Sequence, residues 1–260
     1  MKNRIVVLGN GFLGRKFAKR AFRVFGKDQF KLTPTYKRDL NSLDPYDTVI
    51  NCIGKSNTRW CEQPQNFDAA LFSNGYLPGI LSNYCKEHGK QFVHISTGCL
   101  YDRNDRPQNE TDFISAHCNY TVTKWIGEKK CNDQDLIIRP RLYFGDFPDK
   151  NNLLSKLPKF QNFLRETNSY TSLDTIVDSI NVLLLDQQSG VFNVACDGYA
   201  SVREIADWLD LLGGETTQEE LHKSEKLYLV NNIMDISKLK KHYEPPQLKK
   251  EILRCDALLK

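Results

Sequence analysis

The sequence predicts an α/β fold: a doubly wound parallel sheet with a smaller C-terminal part. Three observations carry this. Short apolar runs alternate with helical segments up to Gly145, the first run leads straight into a glycine turn, and the alternation breaks down after Gly145. At 260 residues the chain is long enough to bury a sizeable core without disulfide staples.

"RIVVLG" at 4–9 reads as a buried strand, and "NGFLGRKFAKRAF" places Phe12, Leu13, Phe17 and Ala21 at helical spacing behind it. "DTVINCIG" at 47–54 and "QFVHIST" at 91–97 are two further strands. Between them "NFDAALFSNGYLPGILSNYCKEHG" is one helix ending at Gly89. A helix around "YTVTKWIGEKK" and a strand "DLIIRPRLYFG" at 135–145 follow. Beyond Gly145, "DFPDKNN" is a loop, "LLSKLPKFQNFL" a helical segment broken by Pro158, and "GVFNVAC" a lone strand. "SVREIADWLDLLGG" is a helix with Ser201 as its cap, Glu204 completing a capping box and Gly213 as its stop. Residues 1–145 are therefore expected to form a dinucleotide-binding, Rossmann-like domain and 146–260 a substrate-binding part, with about 170–196 packing back on the sheet. A substrate cleft is expected along the edge between them.

Composition removes several function classes. Charged residues make up 26% and the net charge is +4, which lacks the footprint of a nucleic-acid binder, and the "LKK" runs at 239–241 and 248–250 read as solvated helix faces. No run approaches the ~18–20 apolar residues of a membrane span, and the N-terminus shows no signal-peptide pattern, so a soluble cytoplasmic protein is expected. The eight cysteines form no C-x-x-C pair and are expected to be free thiols, with no metal site. His94, inside a strand, reads as a satisfied core histidine.

"GNGFLG" sets Gly9, Gly11 and Gly14 right after the first strand. Gly9 permits the tight turn, Gly11 a close approach of backbone to a pyrophosphate, and Gly14 close packing of helix on strand. Asn10, Phe12, Leu13 and Arg15 share this turn. The acidic residue that holds a ribose 2′-hydroxyl is hard to find: the region reads "FKLTPTYKRDL", with Lys37 and Arg38 beside Asp39. Cations there suit a 2′-phosphate, so NADPH is the expected cofactor, with NADH as the alternative.

"YTVTK" puts Tyr120 and Lys124 on one face of a helix. A free phenol has a pKa of about 10, and a nearby ammonium favours its ionised form, which makes the phenol a better proton donor. The Thr97 hydroxyl, at the end of a strand, is placed to share the same carbonyl oxygen.

Together, "GNGFLG", "VINCIG", "HISTGCLYD", "YTVTKWIGEK", "IIRPRLYFG" and "GVFNVAC" resemble the extended short-chain dehydrogenases/reductases of the nucleotide-sugar type, and among them the dTDP-4-dehydrorhamnose reductases, over nearly the whole chain. The resemblance implies a hydride-transfer site of Thr97, Tyr120 and Lys124, with Asn74 supporting the lysine. It further implies a cofactor lining from Cys52, Ile53 and Gly54 and from Arg139 and Pro140. "NTRWCEQP" at 57–64, "STGCLYD" at 96–102 and "NNLLSKL" at 151–157 are similar to the bifunctional 3,5-epimerase/4-reductases of UDP-L-rhamnose synthesis. GDP-fucose synthases likewise carry a cysteine two residues past the catalytic hydroxyl. By this resemblance Cys99 is an acid/base for epimerisation and Lys156 its counterpart, while Trp60, Glu62 and Arg141 join Thr97 and Cys99 in the sugar pocket.

Two departures stand out: the glycine turn is one residue shorter than the family's usual G-x-x-G-x-x-G, and Gly98-Cys99 replaces the Asp-Glu pair of the 4,6-dehydratases, so dehydration is not expected. The expected partner is a nucleotide sugar, UDP-linked by resemblance alone, and a homodimer is compatible with the sequence. Two other readings stay open: a 4-reductase served by a separate epimerase, and a non-catalytic NADP-binding regulatory subunit, against which the intact Thr97, Tyr120 and Lys124 argue.

Overall fold

Val6, Val7, Leu8, Val49, Ile50 and Val93 have no exposed surface. Strands hidden on both faces form when each finds parallel neighbours to satisfy its backbone amides. The structure, a computed structural model, describes residues 4–26, 40–102, 105–225 and 230–260. It contains a six-stranded sheet of β1 (Ile5–Leu8), β2 (Arg23–Phe25), β3 (Thr48–Asn51), β4 (Gln91–Ile95), β5 (Leu136–Pro140) and β6 (Gly190–Val194), in the order β6-β5-β4-β3-β1-β2. β1 to β5 pair in parallel, with Val6 opposite Val49, Val49 opposite Phe92 and His94 opposite Ile137. The order reverses beside β1, the switch point at which Rossmann-like sheets hold their ligands.

The chain divides into two compact units, Met1–Thr97 with Ala116–Ile138 and Gln187–Val191, and Gly98–Ser115 with Arg139–Asp186 and Phe192–Lys260. In the first, Val6, Leu8, Phe25, Leu77, Leu81 and Phe92 belong to one apolar core. It includes helices α1 (Phe12–Lys19), α2 (Leu77–Glu87) and α3 (Asn119–Lys130). The second has its own core, in which Phe144, Phe163 and Tyr170 pack with residues of α5 (Val202–Trp208) and α7 (Leu248–Leu259). The same unit contains α4 (Leu173–Leu185) and α6 (Gln218–Glu225).

Several elements differ from expectation for identifiable reasons. The strand expected at 135–145 stops at Pro140, because Leu142 turns into the left-handed region (φ +39°), and Tyr143–Phe144 then pairs separately with Thr171–Ser172. "GVFNVAC" is no lone strand but β6, an edge of the main sheet. In "LLSKLPKFQNFL" only Leu153–Lys156 is α-helical; Pro158 sits in the 3₁₀ turn Leu157–Lys159, and Asn162–Leu164 forms a strand beside Gly214–Thr216. Ser201 and Glu204 make the expected capping box, yet α5 ends at Trp208 rather than near Gly213. Asp210 (φ +54°) makes the left-handed turn instead, and Gly213 lies so close to Phe163 that a Cβ would come within 2.6 Å of its ring. The helix expected over 66–89 is one run with a defect: Phe67–Ala70, a π-helical stretch Leu71–Tyr76, then α2. His94 is buried, but only its Nδ1 is engaged, at 3.3 Å from Asn51 Nδ2, while Nε2 has no hydrogen-bond partner.

The glycine turn joins β1 to α1 through backbone contact. Gly9 (φ +102°) presents its α-carbon to the Cys52–Ile53 peptide, which a Cβ would meet at 3.1 Å. A Cβ on Gly14 would sit 1.8 Å from the Gly9 carbonyl oxygen, whereas one on Gly11 would meet nothing within 4 Å. Gly14→Ala is therefore expected to lower stability by at least about 3 kcal/mol, and Gly11→Ala by less than about 1 kcal/mol. Urea denaturation of both variants checks the contrast; equal midpoints would contradict it.

Candidate active site

In the first unit the site is built on α3. Its N-terminus is fixed by side chains: the Cys118 amide donates to Thr121 Oγ1 at 3.1 Å, and Asn119 Nδ2 donates to the Cys61 carbonyl at 3.2 Å. Tyr120 and Lys124, one turn apart, are both buried, at 7% and 5% exposure. The Lys124 ammonium donates to the carbonyl of Ile95 at 2.6 Å. Ile95 is the last residue of β4, so the lysine is tied to the strand end from which Ser96 and Thr97 continue. Ser96 Oγ donates to Glu128, the next residue along the Tyr120–Lys124 face of α3. Thr97 is 3% exposed.

Burial lowers the Lys124 pKa to about 8, with Glu128 the largest opposing influence. The same ammonium helps burial hold His94 well below its ordinary value, so the imidazole stays neutral. Burial pushes the Cys52 thiol up against the pull of Lys124.

Asn74 reaches this place from the π-helical stretch. A π turn inserts one residue into the helical ladder and re-aims the side chains around it. Asn74, fully buried, donates through Nδ2 to the Lys55 carbonyl and to Thr123 Oγ1, both at 3.1 Å, and accepts from the Lys55 amide at 2.7 Å. Thr123 in turn donates to the Tyr120 carbonyl at 2.9 Å. A Cβ on Gly54 would lie 3.0 Å from Asn74 Oδ1 and 3.8 Å from Lys124 Nζ, so Gly54, Asn74 and Lys124 share one small space. Three contributors escaped the sequence reading: Lys55, Thr123 and Gly127. A Cβ on Gly127 would stand 2.1 Å from the Asn74 carbonyl oxygen, so only glycine lets α3 approach the π turn. The signal was present, since a lone glycine inside a helical pattern points to close packing.

The glycine turn fits a dinucleotide. Gly11, the N-cap of α1, brings no capping side chain, the first turn carries no acidic residue, and the space over Gly11 is open, so an anion meets only backbone and the positive helix end. Asn10 is exposed, Phe12 and Leu13 are buried and Arg15 is half-buried. Ile53 is half-buried, its amide donating to Asn51 Oδ1 at 3.0 Å. Lys37, Arg38 and Asp39 lie outside the described residues. Trp60 is half-buried under the Lys55 ammonium, 4.9 Å from the ring centre, and Glu62 is exposed.

In the second unit Cys99 is half-buried on the 3₁₀ turn Gly98–Leu100. Arg141 Nη1 donates to its sulfur at 2.9 Å. Arg139 donates to the Tyr101 hydroxyl at 2.5 Å, and that hydroxyl donates to Asn193 at 2.9 Å. Lys156 is half-buried on the turn capped by Asn152, and burial lowers its pKa. None of the eight cysteines is in a disulfide. Among the described residues no group of His, Cys, Asp and Glu could hold a metal, and no helix is long and apolar enough to cross a membrane.

Sheet order, glycine turn and the Tyr120–Lys124 helix define a Rossmann-like α/β protein. Residues 4–178 match the RmlD substrate binding domain, and the chain belongs to that family. It is 23% identical over 255 residues to the Arabidopsis thaliana trifunctional UDP-glucose 4,6-dehydratase/UDP-4-keto-6-deoxy-D-glucose 3,5-epimerase/UDP-4-keto-L-rhamnose-reductase RHM1. The match covers 90% of this chain but 38% of that protein, so the chain spans about two fifths of the relative's length. Its fold is that of the UDP-rhamnose synthase L780 of Acanthamoeba polyphaga mimivirus (TM-score 0.84, 18% identity, 98% of this chain and 99% of that one). It is also that of the dTDP-4-dehydrorhamnose reductase of Bacillus anthracis in complex with NADP (TM-score 0.81, 17% identity, 98% of each chain).

A pKa lowered from 10.5 to about 8 means that holding Lys124 charged in the fold costs ~3 kcal/mol at neutral pH. The folded protein releases this proton before the unfolded chain does, so the cost is full below about pH 8 and fades toward pH 10.5. Lys124→Met is therefore expected to gain ~3 kcal/mol on the parent between pH 10.5 and pH 7, on top of a pH-independent offset from the lost hydrogen bond to Ile95. Denaturation at both pH values checks this; a stability difference between variant and parent that stays the same at pH 7 and pH 10.5 would contradict it.

Proposed function

We propose that this chain is an NADPH-dependent enzyme acting on an NDP-4-keto-6-deoxyhexose, UDP-linked, which epimerises carbons 3 and 5 and reduces the 4-keto group to an L-rhamnose-type sugar. The observation that carries the reductase half is the buried Lys124 ammonium, anchored at 2.6 Å to the strand end that leads to Thr97 and set one turn from Tyr120 on α3. Tyr120 donates its proton to the ketone oxygen, Lys124 favours the phenolate left behind, and Thr97 orients the carbonyl by a hydrogen bond. When bound, a reduced nicotinamide supplies the hydride. Gly9, Gly11, Gly14 and the start of α1 receive its pyrophosphate, and Cys52–Gly54 and Arg139–Pro140 line it.

Epimerisation uses the acidity of protons beside a ketone. Cys99 as thiolate takes the proton from the ring carbon: the C–H bond breaks, S–H forms, and the enolate oxygen is held by Thr97 and Tyr120. The Lys156 ammonium returns a proton to the opposite face, and its lowered pKa makes it the readier acid. The UDP and epimerase parts draw support from the activities in the Arabidopsis relative's name and from the mimivirus UDP-rhamnose synthase, a chain of matching extent. NADPH draws support from the Bacillus anthracis structure with NADP and from Lys37 and Arg38.

Mixed with UDP-4-keto-6-deoxyglucose and NADPH, the protein is expected to yield UDP-L-rhamnose, with NADPH preferred to NADH. In heavy water without cofactor, deuterium should enter at carbons 3 and 5. Cys99→Ala should abolish that exchange and still reduce an epimerised substrate. Product formation only when a separate epimerase is added, with no exchange by this protein alone, would leave a 4-reductase and remove the epimerase half.

A further inference from the structure

Arg141 is a buried cation with no anionic partner among the described residues. It is 4% exposed. Its guanidinium donates to Cys99 Sγ at 2.9 Å, to Asn168 Oδ1 at 2.7 Å and to the Val230 carbonyl, all neutral acceptors if the cysteine is a thiol, and its Nε has no partner at all. The Arg141 backbone is fixed as well, its amide donating to Thr171 Oγ1 at 2.8 Å. Arg141 also acts on the Tyr170 phenol, whose buried hydroxyl has no hydrogen-bond partner. Burial pushes that phenol up and Glu204 adds to the push, so Tyr170 stays neutral and offers Arg141 no charge.

A buried charge left unpaired is costly by several kcal/mol, and a guanidinium cannot relieve it by losing a proton. Of the groups to which the Arg141 guanidinium donates, only Cys99 is able to become an anion. We propose that Arg141 is the positioning residue of Cys99: its guanidinium fixes the sulfur and serves as counter-charge to a resident thiolate. The pair acts as a unit, an anion held ready at the half-buried Cys99 and a buried cation beside it. Its use as a base in epimerisation rests on the function proposed above; its existence does not.

Iodoacetamide labelling of the full chain, read at Cys99 by peptide mapping, tests the pair without any turnover. The reagent reacts with the thiolate, and a free cysteine with a pKa of about 8.5 gains roughly fiftyfold in thiolate between pH 6.5 and pH 8.5. With the pair in place, Cys99 labelling should rise less than about fivefold over that interval. Arg141→Gln should restore a rise of several tens-fold, and Arg141→Lys, which keeps the charge, should keep the profile shallow. A merely structural role for Arg141 predicts faster labelling at both pH values alike, with no change in steepness. A rise near fiftyfold in the parent protein, or an Arg141→Gln profile as shallow as the parent's, overturns the proposal. Should Arg141→Gln fail to fold, the parent profile decides alone. A shallow profile without deuterium exchange into the sugar supports the pair and removes the epimerase reading.

Discussion

The first unit is arranged around the burial of one ammonium group. Lys124 gains a carbonyl at the end of β4 and loses most of its water, and the balance is unfavourable enough to lower its pKa to about 8. Keeping it there requires company from several elements: Glu128 one turn along α3, Ser96 holding that carboxylate, and a glycine at 54 where a Cβ would crowd Asn74. The stability given up at this point is of the kind protein sites spend to hold reactive groups in place.

The second unit solves a related problem twice within three residues. Arg139 and Arg141 flank Pro140 and are both buried, yet their surroundings differ. Arg139 lies over the Tyr101 ring and donates to its hydroxyl, which passes the bond on to Asn193, so this cation is absorbed into a closed polar network. Arg141 ends instead on a sulfur. The alternation of a strand would turn the two side chains to the same face, but the chain leaves β5 at Pro140 and bends at Leu142, which separates their fates.

How much of this was legible in the sequence follows from which interactions are local. β1, β3, β4 and β5, helix α1, the Tyr120–Lys124 face and the Ser201 capping box are governed by neighbours within a few residues, and the apolar runs and glycine spacings announce them. The end of α5 at Trp208, the bend at Leu142 and the membership of Gly190–Val194 in the main sheet depend on distant partners, which periodicity does not encode. Asn74 was reached through resemblance, because nothing in "LFSNGY" distinguishes a π turn from an ordinary helix. The Arg141–Cys99 contact joins residues 42 apart in the chain, and neither residue type signals it alone.

The π-helical stretch has a consequence for how the chain tolerates length changes. An α-helix advances about 100° per residue, so the extra residue held in Leu71–Tyr76 rotates everything after it relative to everything before it. Losing a single residue there would leave the segment helical up to Pro78, yet Asn74 and the apolar face of α2 would no longer point the same way as now. A one-codon deletion in this segment would thus be conservative for secondary structure and disruptive for geometry, an inversion of the usual ranking in which loops absorb deletions and helices do not.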